Sequence, residues 1–180
     1  SNREWDENGQ LIEESWRRDG KLYHENGCAH QKWLSLDKKP SYEGFLTMLE
    51  KSSDGKRILT DYVWMRKNKY HRMDSENRPA CLFTDCFFPS VVKKWYCNGK
   101  LHSFTNKEGK LIPSIEKYYR HILIEQRYHH KGKIHRTTPI TEDERKLALL
   151  GDCEERSIDA VGPALLSWNY SGKLMDMKWY

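Results

Sequence analysis

The sequence predicts a mainly β protein, an antiparallel sheet of stacked repeat β-hairpins with one or two short helices in insertions. Three observations lead there. A seven-residue phrase recurs six times, and a repeat of this kind sets the architecture. Its centre is a hairpin signal, Asn8-Gly9, Asp19-Gly20 or Asn98-Gly99. Hydrophobic residues are 37% of the chain while aromatics are 12%, which suits a thin structure with a small core of aromatic rings.

The phrase reads aromatic, three residues, a turn residue, a polar residue, an apolar residue. The copies are Trp5…Gly9-Gln10-Leu11, Trp16…Gly20-Lys21-Leu22, Trp64…Asn68-Lys69-Tyr70, Trp95…Gly99-Lys100-Leu101, Tyr128…Gly132-Lys133-Ile134 and Trp168…Gly172-Lys173-Leu174. Ser171-Gly172 and Lys131-Gly132 are weaker turn signals. Asn68 stands where other copies have Gly, and Asn tolerates positive φ better than most residues.

Two hairpin geometries fit each phrase. A two-residue loop at Asp19-Gly20 pairs Trp16 with Tyr23 and places Leu22 on the opposite face. A three-residue loop, a type I turn closed by a Gly bulge, pairs Trp16 with Leu22. The second geometry makes every facing pair aromatic against apolar: Trp5/Leu11, Trp16/Leu22, Trp64/Tyr70, Trp95/Leu101, Tyr128/Ile134 and Trp168/Leu174. Such pairs stabilise sheets, so this is the preferred register. A lone hairpin is marginal in water. Burying one Trp contributes at most roughly 4–6 kcal/mol. The hairpins are therefore expected to stack, with the aromatic row as their shared packing strip.

The chain reads as one domain over 1–180, with hairpins near 3–13, 14–24, 58–72, 91–103, 116–136 and 164–176. Insertions fall at 34–56 and 137–158. In the first, Phe45, Met48 and Leu49 lie at helical spacing. In the second, Thr141-Glu142-Asp143-Glu144 is a capping box and Gly151 a stop, predicting a helix over 141–150. Lys56 to Arg66 and Ile115 to Tyr128 read as longer strands leading into their turns.

In the preferred register, the residue after each turn lies opposite the aromatics. That face collects Lys21, Lys69, Lys100, Lys133 and Lys173, joined by His71, His102 and His135, with Arg17, Lys94, Arg127 and His129 across from them. These lysines and histidines are the candidate partner-binding residues. A positive face suits phosphates, lipid headgroups or acidic side chains. Lysines on a sheet face also discourage edge-to-edge aggregation without binding anything. The net charge of +5 permits anionic partners without requiring them.

Catalytic motifs are missing: no nucleophile elbow, phosphate loop, dinucleotide fingerprint or zincin motif occurs. No cofactor and no metal site is expected. Cys81 and Cys86 with His71 have poor ligand spacing. His129 and His130 point to opposite faces of a strand, so they do not chelate. A hydrolase or nuclease built on His129, His130 and His135 is the least favoured reading. The five cysteines are odd in number and form no C-x-x-C pair, which fits an intracellular protein. No stretch approaches membrane-span length and no apolar signal segment opens the sequence.

A second signature follows the phrases: Glu25-Asn26-Gly27-Cys28-Ala29, Glu76-Asn77-Arg78-Pro79-Ala80 and Ala160-Val161-Gly162-Pro163-Ala164. Together with Trp16 to His24 and Tyr128 to Arg136, this resembles a degenerate MORN repeat. It is most similar to the MORN-like repeats abundant in large DNA viruses of amoebae. The resemblance implies a scaffold or interaction role, sometimes with lipid binding, and no catalytic residues. The expectation is a viral scaffold module in the cytoplasm of a cell or infected host cell, or in a virion. Its partner is expected to be a protein. An alternative is an anionic lipid or nucleic acid held by the Lys/His face, and sheet edges offer homo-oligomerisation. The copies are spaced from 11 to 48 residues apart, which predicts a curved, meandering sheet rather than a regular solenoid.

Overall fold

A computed structural model describes residues 1–36, 48–52, 55–72, 77–85, 89–136 and 162–178. β1 (Asn2–Trp5) and β2 (Leu11–Ser15) form the first hairpin. β3 (Arg17–Arg18) and β4 (Lys21–Leu22) form a short one. β5 (Asn26–Ser35) and β6 (Arg57–Arg66) are long, and β7 (Lys69–Tyr70) folds back on the end of β6. β8 (Cys81–Asp85) and β9 (Ser90–Lys94) pair. β10 (Tyr96–Cys97) with β11 (Lys100–Leu101), and β12 (Phe104–Thr105) with β13 (Leu111–Ile112), are again short hairpins. Then come β14 (Ile115–Tyr119), β15 (Ile122–Arg127), the short pair β16 (His129–His130) and β17 (Lys133–Ile134), and lastly β18 (Leu165–Trp168) and β19 (Leu174–Lys178).

The expected mainly β, antiparallel architecture is present. One sheet joins β1-β2-β5-β6-β8-β9-β14-β15-β18-β19 in that order, with β1 and β19 as open edges rather than a closed barrel. Its buried residues fall into clusters, with the neighbours Tyr62 and Val63, and Cys81 and Leu82, divided between two of them. Ile58, Tyr62, Leu82 and Val91 form one buried cluster with Leu49. Ala29, Val63, Met65, Ala80 and Cys81 form a second, and Leu22 and Tyr96 from the short hairpins pack onto it. Tyr128, Leu166, Leu174 and Met177 form a third. The helix expected over 141–150 lies outside the described residues, as does Phe45 of the first insertion.

The register divides the six copies into two classes. Trp5 faces Leu11 and Trp168 faces Leu174, as expected. Here a side chain sets the turn. Asp6 Oδ1 accepts the N–H of Asn8 and of Gln10, and Asn169 Oδ1 accepts those of Ser171 and Lys173. The other four copies are two-residue loops, so the expected pairs Trp16/Leu22, Trp64/Tyr70, Trp95/Leu101 and Tyr128/Ile134 do not form. Leu22 instead faces Arg17, Tyr70 faces Met65, Leu101 faces Tyr96 and Ile134 faces His129. Both central residues of these loops take positive φ: Asp19 and Gly20 at 52° and 75°, Asn98 and Gly99 at 50° and 82°. That conformation matches the right-handed twist of the flanking strands. The residue after the aromatic is Arg17, Met65, Tyr96 or His129, none of which offers the oxygen that Asp6 and Asn169 supply.

Two further hairpins escape the sequence pattern. Asn106 Oδ1 accepts the N–H of Glu108 and Lys110, building the same side-chain-set turn between β12 and β13. Its leading residue is Thr105 rather than an aromatic. The expected single strand from Ile115 to Tyr128 is divided into β14 and β15 around Arg120, at φ +57°, whose N–H is held by the Pro89 carbonyl.

Candidate functional site

Each of the four two-residue-loop hairpins begins at an aromatic corner. The N–H of Trp16, Trp64, Trp95 and Tyr128 donates to the carbonyl of Ala29, Ala80, Ser114 and Ala164, at 2.9, 2.7, 2.9 and 2.8 Å. The carbonyl of the same aromatic accepts the N–H of Tyr23, His71, His102 or His135, at 2.9, 3.3, 3.1 and 3.0 Å. One residue thus belongs to the sheet through its N–H and to the hairpin through its carbonyl. Ser114 reveals Ile112-Pro113-Ser114 as a fourth copy of the Gly-Pro-Ala-like element, which sequence reading missed because two of its three residues differ.

The aromatic ring is covered by the side chain eight positions on. His24 meets Trp16 edge to face, with ring centroids 5.7 Å apart. The guanidinium of Arg72 lies 4.5 Å from the Trp64 ring, and that of Arg136 lies 4.6 Å from the Tyr128 ring. Trp95 donates its indole N–H to the Asn77 carbonyl. Three of these aromatics are structural in this sense, held by a cation or an imidazole. Trp5 differs, being 55% exposed on the edge strand.

Successive hairpins are fastened side by side. Lys67 N–H donates to the Glu25 carbonyl, Gly99 N–H to Tyr70 and Gly132 N–H to Leu101. Arg72 N–H donates to Tyr96 and Ser103 N–H to His129. The glycines permit close approach as well as the turn. A Cβ built on Gly99 or Gly132 would lie 3.6 Å from the Cβ of Lys69 or Lys100 of the preceding hairpin.

The register places Arg18/Lys21, Arg66/Lys69, Cys97/Lys100 and His130/Lys133 on the outer face of this row, with the residues two positions on, Tyr23, His71, His102 and His135. Of the expected partner-binding residues, Lys21, Lys69, His71, Lys100, His102, Lys133 and His135 therefore share a face. Lys173 does not join them, because it lies in the β18–β19 turn. The residues across from the lysines also differ from expectation. Arg17 faces Leu22, and Lys94 and Arg127 lie in the main sheet. His129 is buried with its Nδ1 2.6 Å from Ser114 Oγ. For Arg17 and His129 the shift is the one-residue consequence of the shorter loop.

Two of the histidines are engaged inside the row. His71 Nδ1 accepts the N–H of Asn98, and His102 Nδ1 accepts that of Lys131. Both imidazoles sit below their ordinary titration value. Burial is the main cause, aided by Arg66 near His71 and by His130 and Lys131 near His102. Burial, then Arg127, does the same to His129. The face is thus carried by its lysines and arginines. His129 turns inward while His130 stacks on His102, with centroids 5.4 Å apart, so His129 is separated from its neighbour. Among the described residues, no group of three or more His, Cys, Asp or Glu is placed to hold a metal ion.

The charge distribution is the other property of this site. Residues 17–22, 65–70, 96–101 and 129–134 contain nine lysines and arginines against Asp19 alone, a net charge of +8. The whole chain carries +5, so everything else is net negative by three. All nine cations are exposed, and none forms an ion pair with a described carboxylate. Cations of the sheet behave differently: Lys117 and Arg127 both contact Glu125.

Fold and site together define a class by geometry, an open antiparallel sheet carrying a row of hydrogen-bonded two-residue-loop hairpins. No family model matches the chain, and neither a curated protein nor a solved structure matches it. No helix among the described residues is long and apolar enough to cross a membrane.

Proposed function

We propose that the chain is a non-enzymatic protein-interaction or structural scaffold module built from MORN-like repeats, acting inside a cell or infected cell and belonging to a virus. The observation that carries this reading is the hairpin row. Its polar side chains are spread along one outer face at repeated positions instead of converging on a point. A repetitive face suits a long partner surface, whereas catalysis needs a few groups focused on one reacting atom. The open edges β1 and β19 offer a second contact, to another copy of the chain.

Photo-crosslinkers at positions 69, 100 and 133 test this. A shared partner captured from all three positions, and not from position 51, supports the scaffold reading. Turnover of a substrate by the purified chain overturns it.

A second reading is favoured by the net charge of +8 on the row: its partner is anionic. Retention on immobilised heparin at low salt, lost on neutralising Lys69, Lys100 and Lys133, is the expected result. Unretained protein at low salt removes this reading and leaves the scaffold reading to the crosslinks.

A further inference from the structure

We infer that the outer face of the hairpin row binds the phosphate backbone of a nucleic acid strand, without reading its bases. This rests on the anionic-partner reading and narrows it to one class of ligand. The hydrogen bonds from Gly99 to Tyr70 and from Gly132 to Leu101 set the second strand of one hairpin beside the first strand of the next. Adjacent hairpins therefore repeat every two strand spacings, about 9.6 Å. Four hairpins at that step take up about 38 Å.

Leaving out Arg17, which faces Leu22 on the other side, seven net positive charges over that length amount to one per about 5.5 Å. One strand of a nucleic acid presents a phosphate every 3.4 Å or so along its axis. The row thus matches more than half of one strand's phosphate charge, and it does so at a regular step. An extended polypeptide advances about 3.3–3.6 Å per residue, so an acidic protein segment reaches this density only if more than half of its residues are acidic, whereas every nucleotide carries a phosphate. A membrane surface fits less well, because interfacial binding joins cations to apolar anchors. Among the described residues the exposed large hydrophobics are Trp5, Tyr70, Phe83, Tyr170 and Met175, and only Tyr70 lies in the row. Its ring is turned against Tyr96, with centroids 5.1 Å apart.

Unpaired, exposed lysines are suited to phosphate contact, and Arg18 and Arg66 add planar forks that grip two phosphate oxygens at once. The hairpins are bonded side by side, so none stands free as a single ribbon to enter a groove and read base edges, and binding is indifferent to sequence and steeply dependent on salt.

The test is fluorescence anisotropy with a labelled DNA duplex and a single strand, each of about 20 nucleotides per strand, over a salt series. The triple variant Lys69→Gln, Lys100→Gln, Lys133→Gln is compared with a control of equal charge, Lys51→Gln, Lys107→Gln, Lys110→Gln. The ridge variant should bind more than about tenfold more weakly at low salt, with a salt slope reduced by about 3, one per lysine. The control should bind as the parent chain does. Matched thermal melts verify folding. If the ridge variant is unstable, acetylation footprinting of the parent chain replaces it, and the duplex should protect Lys69, Lys100 and Lys133 above Lys51, Lys107 and Lys110. Absent binding to both nucleic acids, equal weakening of the control, or protection elsewhere overturns the assignment. Phosphatidylserine vesicles and polyglutamate are run in parallel. Binding of either without binding of nucleic acid overturns this inference but keeps the row as an anion-binding face, and failure of all probes removes both.

Discussion

His71 Nδ1 accepts the backbone N–H of Asn98 at 3.1 Å and so fastens one hairpin to the next. His102 repeats the contact one hairpin further on, accepting the N–H of Lys131 at 3.4 Å. In both, the imidazole follows its own turn and satisfies the first turn residue of its neighbour. A proton on Nδ1 abolishes the bond, because an imidazolium has no acceptor nitrogen.

Stability should therefore fall on acidification. His71, His102 and His129 all titrate below their ordinary 6.5 in the folded chain, with burial as the first cause. The unfolded chain takes up protons first as pH drops past that value. The contribution is complete above 6.5 and is lost as pH falls through it toward the lower folded values. A lower Tm at about pH 5.5 than at about pH 7.5 is expected. The double variant His71→Asn, His102→Asn keeps an acceptor oxygen and should flatten the decline. An unchanged decline would assign it to other groups.

Gly162→Ala should displace Arg136 from Tyr128. The new Cβ would lie 2.5 Å from the Arg136 guanidinium carbon, which is buried against the ring. Overpacking of this kind costs about 1–3 kcal/mol. Combined with Arg136→Ala, the glycine substitution should cost much less than it does alone, since the clash is gone. Additive losses in urea denaturation would refute this coupling.

The two turn classes should respond to different substitutions. Gly99→Ala forces a side chain into φ +82° and should cost about 1–2 kcal/mol through the backbone, because the nearest side-chain atom is at an ordinary 3.6 Å. Asp6→Ala removes the oxygen that accepts two N–H groups and should cost about 1 kcal/mol locally. Amide exchange is the readout. It should accelerate in β10–β11 for the first variant and in β1–β2 for the second, with little crossover.

Thiol reactivity should follow burial. Burial pushes the Cys28 thiol up to about 11 and that of Cys81 up to about 12. Cys97 is half-buried on the outer face of β10. Among the described cysteines, iodoacetamide near neutral pH should label Cys97 first and leave Cys28 and Cys81 until unfolding. Native labelling of Cys81 as fast as Cys97, followed by peptide mass spectrometry, would show that the hairpin layer opens readily.

Much of the turn chemistry was legible, though one signal was overlooked. Asp6, Asn106 and Asn169 each stand three residues before a glycine at positive φ, and all three hairpins have the longer loop. Arg17, Met65, Tyr96 and His129 hold the matching place in the two-residue loops. The class of each turn thus depends on one side-chain oxygen. The turn at Arg120 carries no such mark, since the residue at positive φ is an arginine and no Asn, Asp or Gly stands beside it. The lysines of the candidate face were visible as a repeat, but their true neighbours Arg18, Arg66 and His130 depended on the register.

The amino-acid sequence alone determined that the chain is mainly β, where its repeated hairpins fall, and that an aromatic opens each. Those features depend on local chemistry: turn residues, alternation and aromatic pairs. Tertiary structure decided which face each side chain occupies and that the hairpins lie in one row. A one-residue change in loop length inverts every face after it, and the bonds joining hairpin to hairpin run between backbone groups that every residue carries. The gathering of a net charge of +8 into one row of hairpins follows from that packing, although each lysine was in plain view.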